Sequence, residues 1–277
     1  MCSLCPLWFK NIPSGKQSQN YHLVPMRFDN KIVLITGASR GIGKATALAF
    51  AQKGAKVAIN YRANLAAAAE TLEELEGEGH ILVKADVSQP VEVASMIEEV
   101  ISHFGSIDIL VNSAGIFEKH PIDKVDYATW QAEWDKTIKV NLIGAANVTY
   151  CAAQQMMKKG GGRIINVSSR GAFRGEPLQP AYGASKAGMN AMGQSLAQAL
   201  APYNIFIATI APGFVETDMA KTILAGPEGQ NIREQSPIGR VARPEEVAHG
   251  ILFLASEAAA FMTGAILDIN GASYLRS

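Results

Sequence analysis

The segment from Lys31 to Gln52 restricts the fold more than any other part of the chain. An apolar, β-branched run, Lys31-Ile32-Val33-Leu34-Ile35-Thr36, passes into Gly37-Ala38-Ser39-Arg40-Gly41-Ile42-Gly43 and then into a helical pattern. Such a run reads as a buried strand. Glycine lacks the Cβ that would hold a ligand off the backbone, and a helix start presents free N–H groups and a positive dipole end. Strand, glycine turn and helix start together predict a phosphate cradle. The spacing Gly-x3-Gly-x-Gly is not the Gly-x-Gly-x-x-Gly of the common fingerprint. Between a buried strand and a helix it still points to dinucleotide binding.

The same alternation of strand and helix continues along the chain. Predicted strands cover Lys31–Thr36, Lys56–Tyr61, Ile81–Ala85, Ile107–Asn112, Arg163–Ser168, Ile205–Ala211 and Ala265–Ile269. Predicted helices cover Ile42–Gln52, Leu65–Glu76, Val91–Phe104, Trp130–Met157, Tyr182–Ala201 and Glu245–Ser256. Most of these strands are apolar throughout, as a sheet covered on both faces requires. Parallel strands joined by right-handed crossovers give a doubly wound, Rossmann-type α/β sheet. No repeat or linker interrupts the pattern after residue 30, so residues 27–277 are expected to form one domain.

Bulk properties exclude several function classes. The 25 basic and 25 acidic residues cancel, with no basic block, so neither nucleic acid nor an anionic membrane is an expected partner. No apolar run approaches the ~20 residues of a membrane helix. Three cysteines do not make a disulfide framework, which fits a reducing, cytoplasmic setting. Residues 1–26 carry Pro6, Pro13 and Pro25 without any period and are expected to be a poorly ordered, inert leader. Cys2 and Cys5 have no second ligand pair at zinc spacing, so no metal is expected.

A second constellation lies in Tyr182-Gly183-Ala184-Ser185-Lys186, with Ser169 thirteen residues upstream. A separation of four on a helix puts the phenol and the ammonium on one face. A fixed ammonium is expected to lower the phenol from its usual value near ~10 toward the working range. A neighbouring hydroxyl can then hold a carbonyl oxygen while the phenol gives it a proton. That is the proton half of a carbonyl reduction; the glycine loop supplies the setting for the electron half.

With both halves in view, the chain resembles the short-chain dehydrogenase/reductase family in its single-domain form, from about Arg27 to about Ala272. The matching elements are Thr36-Gly37-x3-Gly41-x-Gly43, Asp86-Val87, Asn112-Ser113-Ala114-Gly115, Asn141, Ser169, Tyr182-x3-Lys186 and Pro212-Gly213-x3-Thr217. Thr36 to Gly43, Ser236-Pro237-Ile238-Gly239-Arg240 and Asp268-Ile269-Asn270-Gly271 look most like 3-oxoacyl-[acyl-carrier-protein] reductases. Enoyl reductases that resemble this family space the tyrosine and lysine more widely. An interval of four therefore favours C=O over C=C chemistry.

The resemblance implies a seven-stranded sheet in the order 3-2-1-4-5-6-7 and a homotetramer, with the Trp130–Met157 and Tyr182–Ala201 helices at one interface and the last strand at another. It implies Asn141, Ser169, Tyr182 and Lys186 as the catalytic set, with Asn141 holding a water that joins the lysine to a proton relay. Ser168 is set aside because the offset from Tyr182 favours Ser169. Implied cofactor contacts are Gly37, Ser39, Arg40, Gly41, Ile42, Gly43, Asn60, Tyr61, Arg62, Asp86, Val87, Asn112, Ala114, Gly115, Pro212, Gly213, Val215 and Thr217, with Tyr182 and Lys186. For Asn112 the family role is structural, tying neighbouring strands.

The second strand ends Asn60-Tyr61-Arg62, without the acid that would take a ribose 2′-hydroxyl. Arg62 and Arg40 suit a 2′-phosphate, so NADP(H) is expected over NAD. The segment Glu216–Ser236 suits a lid over substrate. Near the site, Phe173, Arg174, Glu176 and Gln179 are unranked specificity candidates. The leading expectation is an NADPH-dependent reductase of a ketone, of the 3-oxoacyl thioester type; the alternatives are an alcohol, sugar or steroid dehydrogenase, or an idle dinucleotide sensor. Acyl carrier protein would be the partner of the first. Reductases serving it usually carry arginines before strand 5 and after the Tyr182 helix, where this chain has Lys158-Lys159 and the base-free Ala201-Pro202-Tyr203-Asn204.

Overall fold

The structure is a computed structural model and describes residues 26–276, so the expected leader, but for Met26, lies outside the described residues. Seven strands are present: β1 (Ile32–Ile35), β2 (Lys56–Tyr61), β3 (Ile81–Lys84), β4 (Ile109–Asn112), β5 (Gly162–Val167), β6 (Ile205–Pro212) and β7 (Ile266–Ile269). They pair in parallel in the order β3-β2-β1-β4-β5-β6-β7. The helices are α1 (Gly41–Ala51), α2 (Leu65–Glu73), α3 (Pro90–Phe104), α4 (Tyr127–Ile138), α5 (Ala145–Lys159), α6 (Gly171–Arg174), α7 (Pro180–Leu200), α8 (Asp218–Ala225), α9 (Gly229–Glu234) and α10 (Pro244–Ala255).

Side-chain alternation explains why the strands are apolar on both faces. Val33 and Ile35 of β1 point into one core with Phe50, Ile59 and Ile251. Ile32 and Leu34 point into the other, with Val93, Leu110 and Val148. Each such side chain, fully buried, contributes roughly 1.5–3 kcal/mol of transfer free energy. The rule relaxes most at the β7 edge, where all four residues are half-buried.

β1 lies between β2 and β4, so the connections leave it in opposite directions. A crevice opens there at the carboxyl ends of the strands, which is where open α/β sheets bind ligands. The glycine turn sits at that point.

Three stretches depart from the sequence expectation. The single helix expected over Trp130–Met157 is two, α4 and α5, joined by a π-helical stretch at Lys139–Gly144. A π-bulge adds a residue to one turn and is typical of functional positions. Here it carries Asn141, which is fully buried. Gly144 closes the bulge against the Val87 carbonyl, where a Cβ would stand only 2.9 Å away. α4 also begins earlier than expected, because Asp126 caps it by accepting from the Thr129 N–H at 2.7 Å. The lid segment, which shows little period, folds as α8 and α9 around a small cluster of Ala220, Leu224, Ile232 and Val241.

Candidate active site

The glycine turn meets the conditions that its spacing predicts. Gly37 has a φ of 65°, and a Cβ there would lie 2.9 Å from Ala114 Cα at the end of β4. A Cβ on Gly43 would collide with the Gly37 carbonyl, so α1 packs directly on the turn. The Arg40 N-cap makes no side-chain capping bond, and no acid lies in the first turn of α1. An uncapped, acid-free helix start facing a crevice is suited to a phosphate.

Two polar residues fix the turn. Asn60 accepts from the Gly37 N–H at 3.2 Å and donates to the Val83 and Ala85 carbonyls at 3.3 and 3.1 Å. Its buried side chain braces three adjoining chain segments. The Thr36 hydroxyl accepts from the Ser113 and Ala114 N–H groups at 3.0 and 3.1 Å, locking the turn to the end of β4. This bracing role of Thr36 is invisible in the sequence, where it reads as the last residue of a strand.

Together these elements line a cleft of about 1260 Å³. All the cofactor positions expected from Gly37 to Val87 face it, as do Ala114, Gly115 and Thr217. Arg40 and Arg62 are exposed at its rim, without an ion-pair partner among the described residues. Asp86 is partly committed locally: one oxygen accepts from both the backbone and the hydroxyl of Ser88, at 2.9 and 2.7 Å. Asn112 is a correction to the cofactor set. It is buried behind the cleft wall, donating to Thr149 and Asn166 at 2.9 Å each, and ties β4 to β5 and α5.

Pro212, Gly213 and Val215 line an adjoining cavity of about 810 Å³ together with Ser169, Tyr182 and Lys186. Pro180 opens α7 at its first turn, where a missing N–H costs nothing. From there Tyr182 points into the cavity and packs edge-on against Phe117, with centroids 4.7 Å apart. The Ser169 hydroxyl accepts from the Gly171 N–H at 3.0 Å. Its neighbour Ser168 turns its hydroxyl toward the Lys186 carbonyl, 3.2 Å away. Lys186 is buried and donates to the Val167 carbonyl at 2.8 Å, with Nζ 5.8 Å from the Tyr182 ring centroid.

The electrostatics correct one expectation. Tyr182 keeps some surface open to the cavity, yet the protein around it pushes the phenol up to about 12; the Ser169 hydroxyl pulls the other way and Glu176 adds to the rise. Burial pushes the Lys186 ammonium down to about 8. Desolvation outweighs the attraction anticipated from helical spacing, because the ammonium is nearly 6 Å from the ring and spends a donor on Val167.

Asn141, buried in the π-helical stretch, braces the cavity. Its side chain accepts from the Ile116 N–H at 2.8 Å and donates to the Ile116 carbonyl at 3.0 Å and to Ser185 at 3.1 Å. These bonds join the loop after β4 to α7, so Asn141 positions the walls of the cavity. Asn141→Ala leaves buried partners unsatisfied, which costs on the order of 2 kcal/mol. At roughly 2–4 °C per kcal/mol for a domain of this size, melting is expected about 4–8 °C lower. A melting point within about 1 °C of wild type would contradict that bracing role.

His120, which sequence reasoning passed over, does similar work. It is fully buried, accepts from the Ala181 N–H at 3.2 Å and donates its other nitrogen to the Glu118 carbonyl at 2.9 Å. It thereby caps the start of α7 at the residue directly before Tyr182. No local pattern marks it, since the partner that matters for α7, the Ala181 N–H, is 61 residues away in sequence.

The parallel sheet, the glycine turn at its switch point and the Ser–Tyr–Lys group in the adjoining cavity define a nicotinamide-dinucleotide oxidoreductase. Residues 37–272 match a family model described as "Enoyl-(Acyl carrier protein) reductase". The chain belongs to the short-chain dehydrogenase/reductase family and is an NAD(P)-dependent oxidoreductase acting on the CH–OH/C=O couple. It is 40% identical over 250 residues to the 3-oxoacyl-[acyl-carrier-protein] reductase FabG of Thermotoga maritima, covering 89% of this chain and 98% of that protein. It is also 40% identical over 256 residues to an L-rhamnose 1-dehydrogenase (NAD(P)(+)) of a Sphingomonas species, covering 89% and 97%. Among solved structures, a dehydrogenase/reductase from Sinorhizobium meliloti 1021 superposes with a TM-score of 0.82 at 30% identity, covering 90% and 97%.

Proposed function

We propose that this protein is an NADPH-dependent reductase that converts a ketone to a secondary alcohol. The observation that carries this reading is the placement of Ser169, Tyr182 and Lys186 on the wall of the cavity that adjoins the dinucleotide cleft. A reduced nicotinamide, when bound, supplies hydride to the carbonyl carbon. The Ser169 hydroxyl and the Tyr182 phenol hold the carbonyl oxygen, and the phenol gives up its proton as charge develops there. With its proton held more tightly by burial, Tyr182 is in the protonated form at neutral pH, the form that ketone reduction needs. Lys186 is the group to hold the nicotinamide ribose and to place positive charge beside the phenolate that forms.

The preference for NADP(H) is supported by two exposed guanidiniums at the rim and the absence of an acid at the end of β2. A 2′-phosphate pairs with such groups through charge-assisted bonds. Because the native chain releases the Lys186 proton near pH 8, kcat/KM for NADPH is expected to fall above that pH as the ammonium is lost. The same shift makes this group alone add stability as pH rises from about 8 toward the ~10.4 of free lysine, since the unfolded chain then binds more protons. A pH profile flat to pH 10 would contradict the assignment of Lys186.

Two substrate classes have support. The 3-oxoacyl thioester reading draws on the FabG relatives and on the apolar wall formed by Phe117, Phe214 and Ile223. The sugar or polyol reading draws on the rhamnose dehydrogenase and on Glu176, a carboxylate in the same cavity. We also propose a cytoplasmic homotetramer, which exposed Tyr150 on α5 and Phe253 on α10 would serve as interface residues. Lys158 and Lys159 offer an acyl carrier protein its basic contact in the thioester case, although Lys159 already pairs with Asp108. No helix among the described residues is long and apolar enough to cross a membrane. The test is an NADPH-oxidation screen against 3-oxoacyl thioesters, simple ketones and ketoses, repeated with NADH. Turnover of at least one ketone class with NADPH is expected; turnover of none would overturn the proposal.

A further inference from the structure

The cavity holds one charged acceptor that ketone reduction itself does not use. Glu176 lies in the turn between α6 and α7 and lines the cavity beside Ser169 and Tyr182. Its carboxylate stands over Gly171, where a Cβ would be 2.5 Å from Oε1. The N–H of that same glycine is the one that Ser169 accepts. The carboxylate is therefore only a residue away from the group that holds the carbonyl oxygen.

Its neighbours are all engaged elsewhere. Arg170, buried in the cavity wall, donates to Ser273 at 2.6 Å and to Gln235 at 2.5 Å and stacks on Phe214. Arg174 donates to Gln235 at 3.1 Å. Phe173 lies under the Arg276 guanidinium, 4.4 Å from its ring centroid, and Gln179 is buried. Of the four specificity candidates near the site, Glu176 alone faces the cavity. Among the described residues its carboxylate has no hydrogen-bond or ion-pair partner.

A half-buried carboxylate without donors is costly, and burial does raise the Glu176 carboxyl while Arg174 and Arg170 oppose the rise. An alkyl or thioester group pressed against it would strip its water and return nothing. A hydroxyl in the same place would return a charge-assisted hydrogen bond.

We infer that Glu176 determines specificity by accepting a hydroxyl of the substrate close to the reacting carbonyl, so that the site takes hydroxylated, sugar-like ketones over plain ones. The inference rests on the proposed ketone reduction and narrows its substrate class. Sites built to bond a hydroxyl reject analogues lacking it strongly, whereas apolar pockets discriminate weakly.

The experiment compares hydroxyacetone with 2-butanone, a pair that differs by a hydroxyl against a methyl group of similar size. Initial rates of NADPH oxidation are measured for the full-length protein, Glu176→Gln and Glu176→Ala. The wild type is expected to favour hydroxyacetone by at least about tenfold in kcat/KM. In Glu176→Ala the preference should shrink to about threefold or less, with Glu176→Gln between, because the amide keeps a neutral acceptor. An equal rate on both ketones in the wild type, or a preference that survives in Glu176→Ala, would overturn the inference while leaving ketone reduction standing. If neither ketone turns over, the reduction proposal is judged by the wider substrate screen, and an NMR titration of ribitol into the NADP⁺-saturated protein decides the role of Glu176. Binding at least about tenfold weaker in Glu176→Gln supports the inference, and equal or undetectable binding in both proteins refutes it.

Discussion

Tyr182→Phe is expected to lower kcat for ketone reduction at least ~10²-fold, the usual contribution of a positioned acid. The ring packs edge-on against Phe117 at 4.7 Å, and phenylalanine preserves that contact. Fold, cavity shape and NADPH binding should therefore persist, and only the proton donor is lost. No other hydroxyl replaces it: Ser169 offers an aliphatic hydroxyl, a far weaker acid than a phenol, and Ser168 faces the backbone of α7. The two measurements to pair are kcat from NADPH oxidation and NADPH affinity from its fluorescence. A kcat within about threefold of wild type would remove Tyr182 from its role. Joint loss of turnover and binding would mean instead that the phenol holds the fold of the cleft.

Replacing Arg40 and Arg62 together by alanine is expected to raise KM for NADPH by about 10²-fold, while KM for NADH changes by no more than about threefold. Hydrogen bonds to charged groups are worth ~1.5–3 kcal/mol each, and two such bonds to a 2′-phosphate account for a shift of that size. Both side chains are exposed at the rim of the cleft, so their removal leaves no cavity and no unpaired buried group. Added salt should weaken NADPH binding in the wild type and have much less effect in the double variant, because exposed charge pairs are screened. Equal increases for both cofactors would show that the arginines do not read the 2′-position.

What the sequence discloses, and what it hides, follows from the range of the interactions involved. Strand β1, the glycine turn and α1 are contiguous, and each carries a local signal: apolar β-branched residues, then glycines, then a helical period. Ser169, Tyr182 and Lys186 are legible for the same reason, being placed by one strand end and one helix face. The strand order came only through resemblance, since nothing in β1 itself says that its neighbours are β2 and β4.

Features that depend on distant partners stayed hidden. The π-helical stretch at Lys139–Gly144 comes from Gly144 meeting Val87 and from Asn141 reaching Ile116, contacts that no helical period encodes. The upward shift of the Tyr182 phenol belongs to the burial of the whole cavity wall, whereas spacing alone shows only the attraction of Lys186. Glu176 could be named from sequence but not ranked, because its place over Gly171 is set by the turn between two helices.

The most direct measurement is a crystal structure of the full chain with NADPH and a ketone substrate analogue bound. The Tyr182 oxygen should lie within hydrogen-bonding reach, about 2.6–3.2 Å, of an analogue oxygen set over the reactive face of the nicotinamide ring. The Ser169 hydroxyl should touch that same oxygen, and Lys186 Nζ the adjoining ribose. A nicotinamide ring lodged elsewhere, with the Tyr182 oxygen many ångströms from its reactive carbon, would contradict the account.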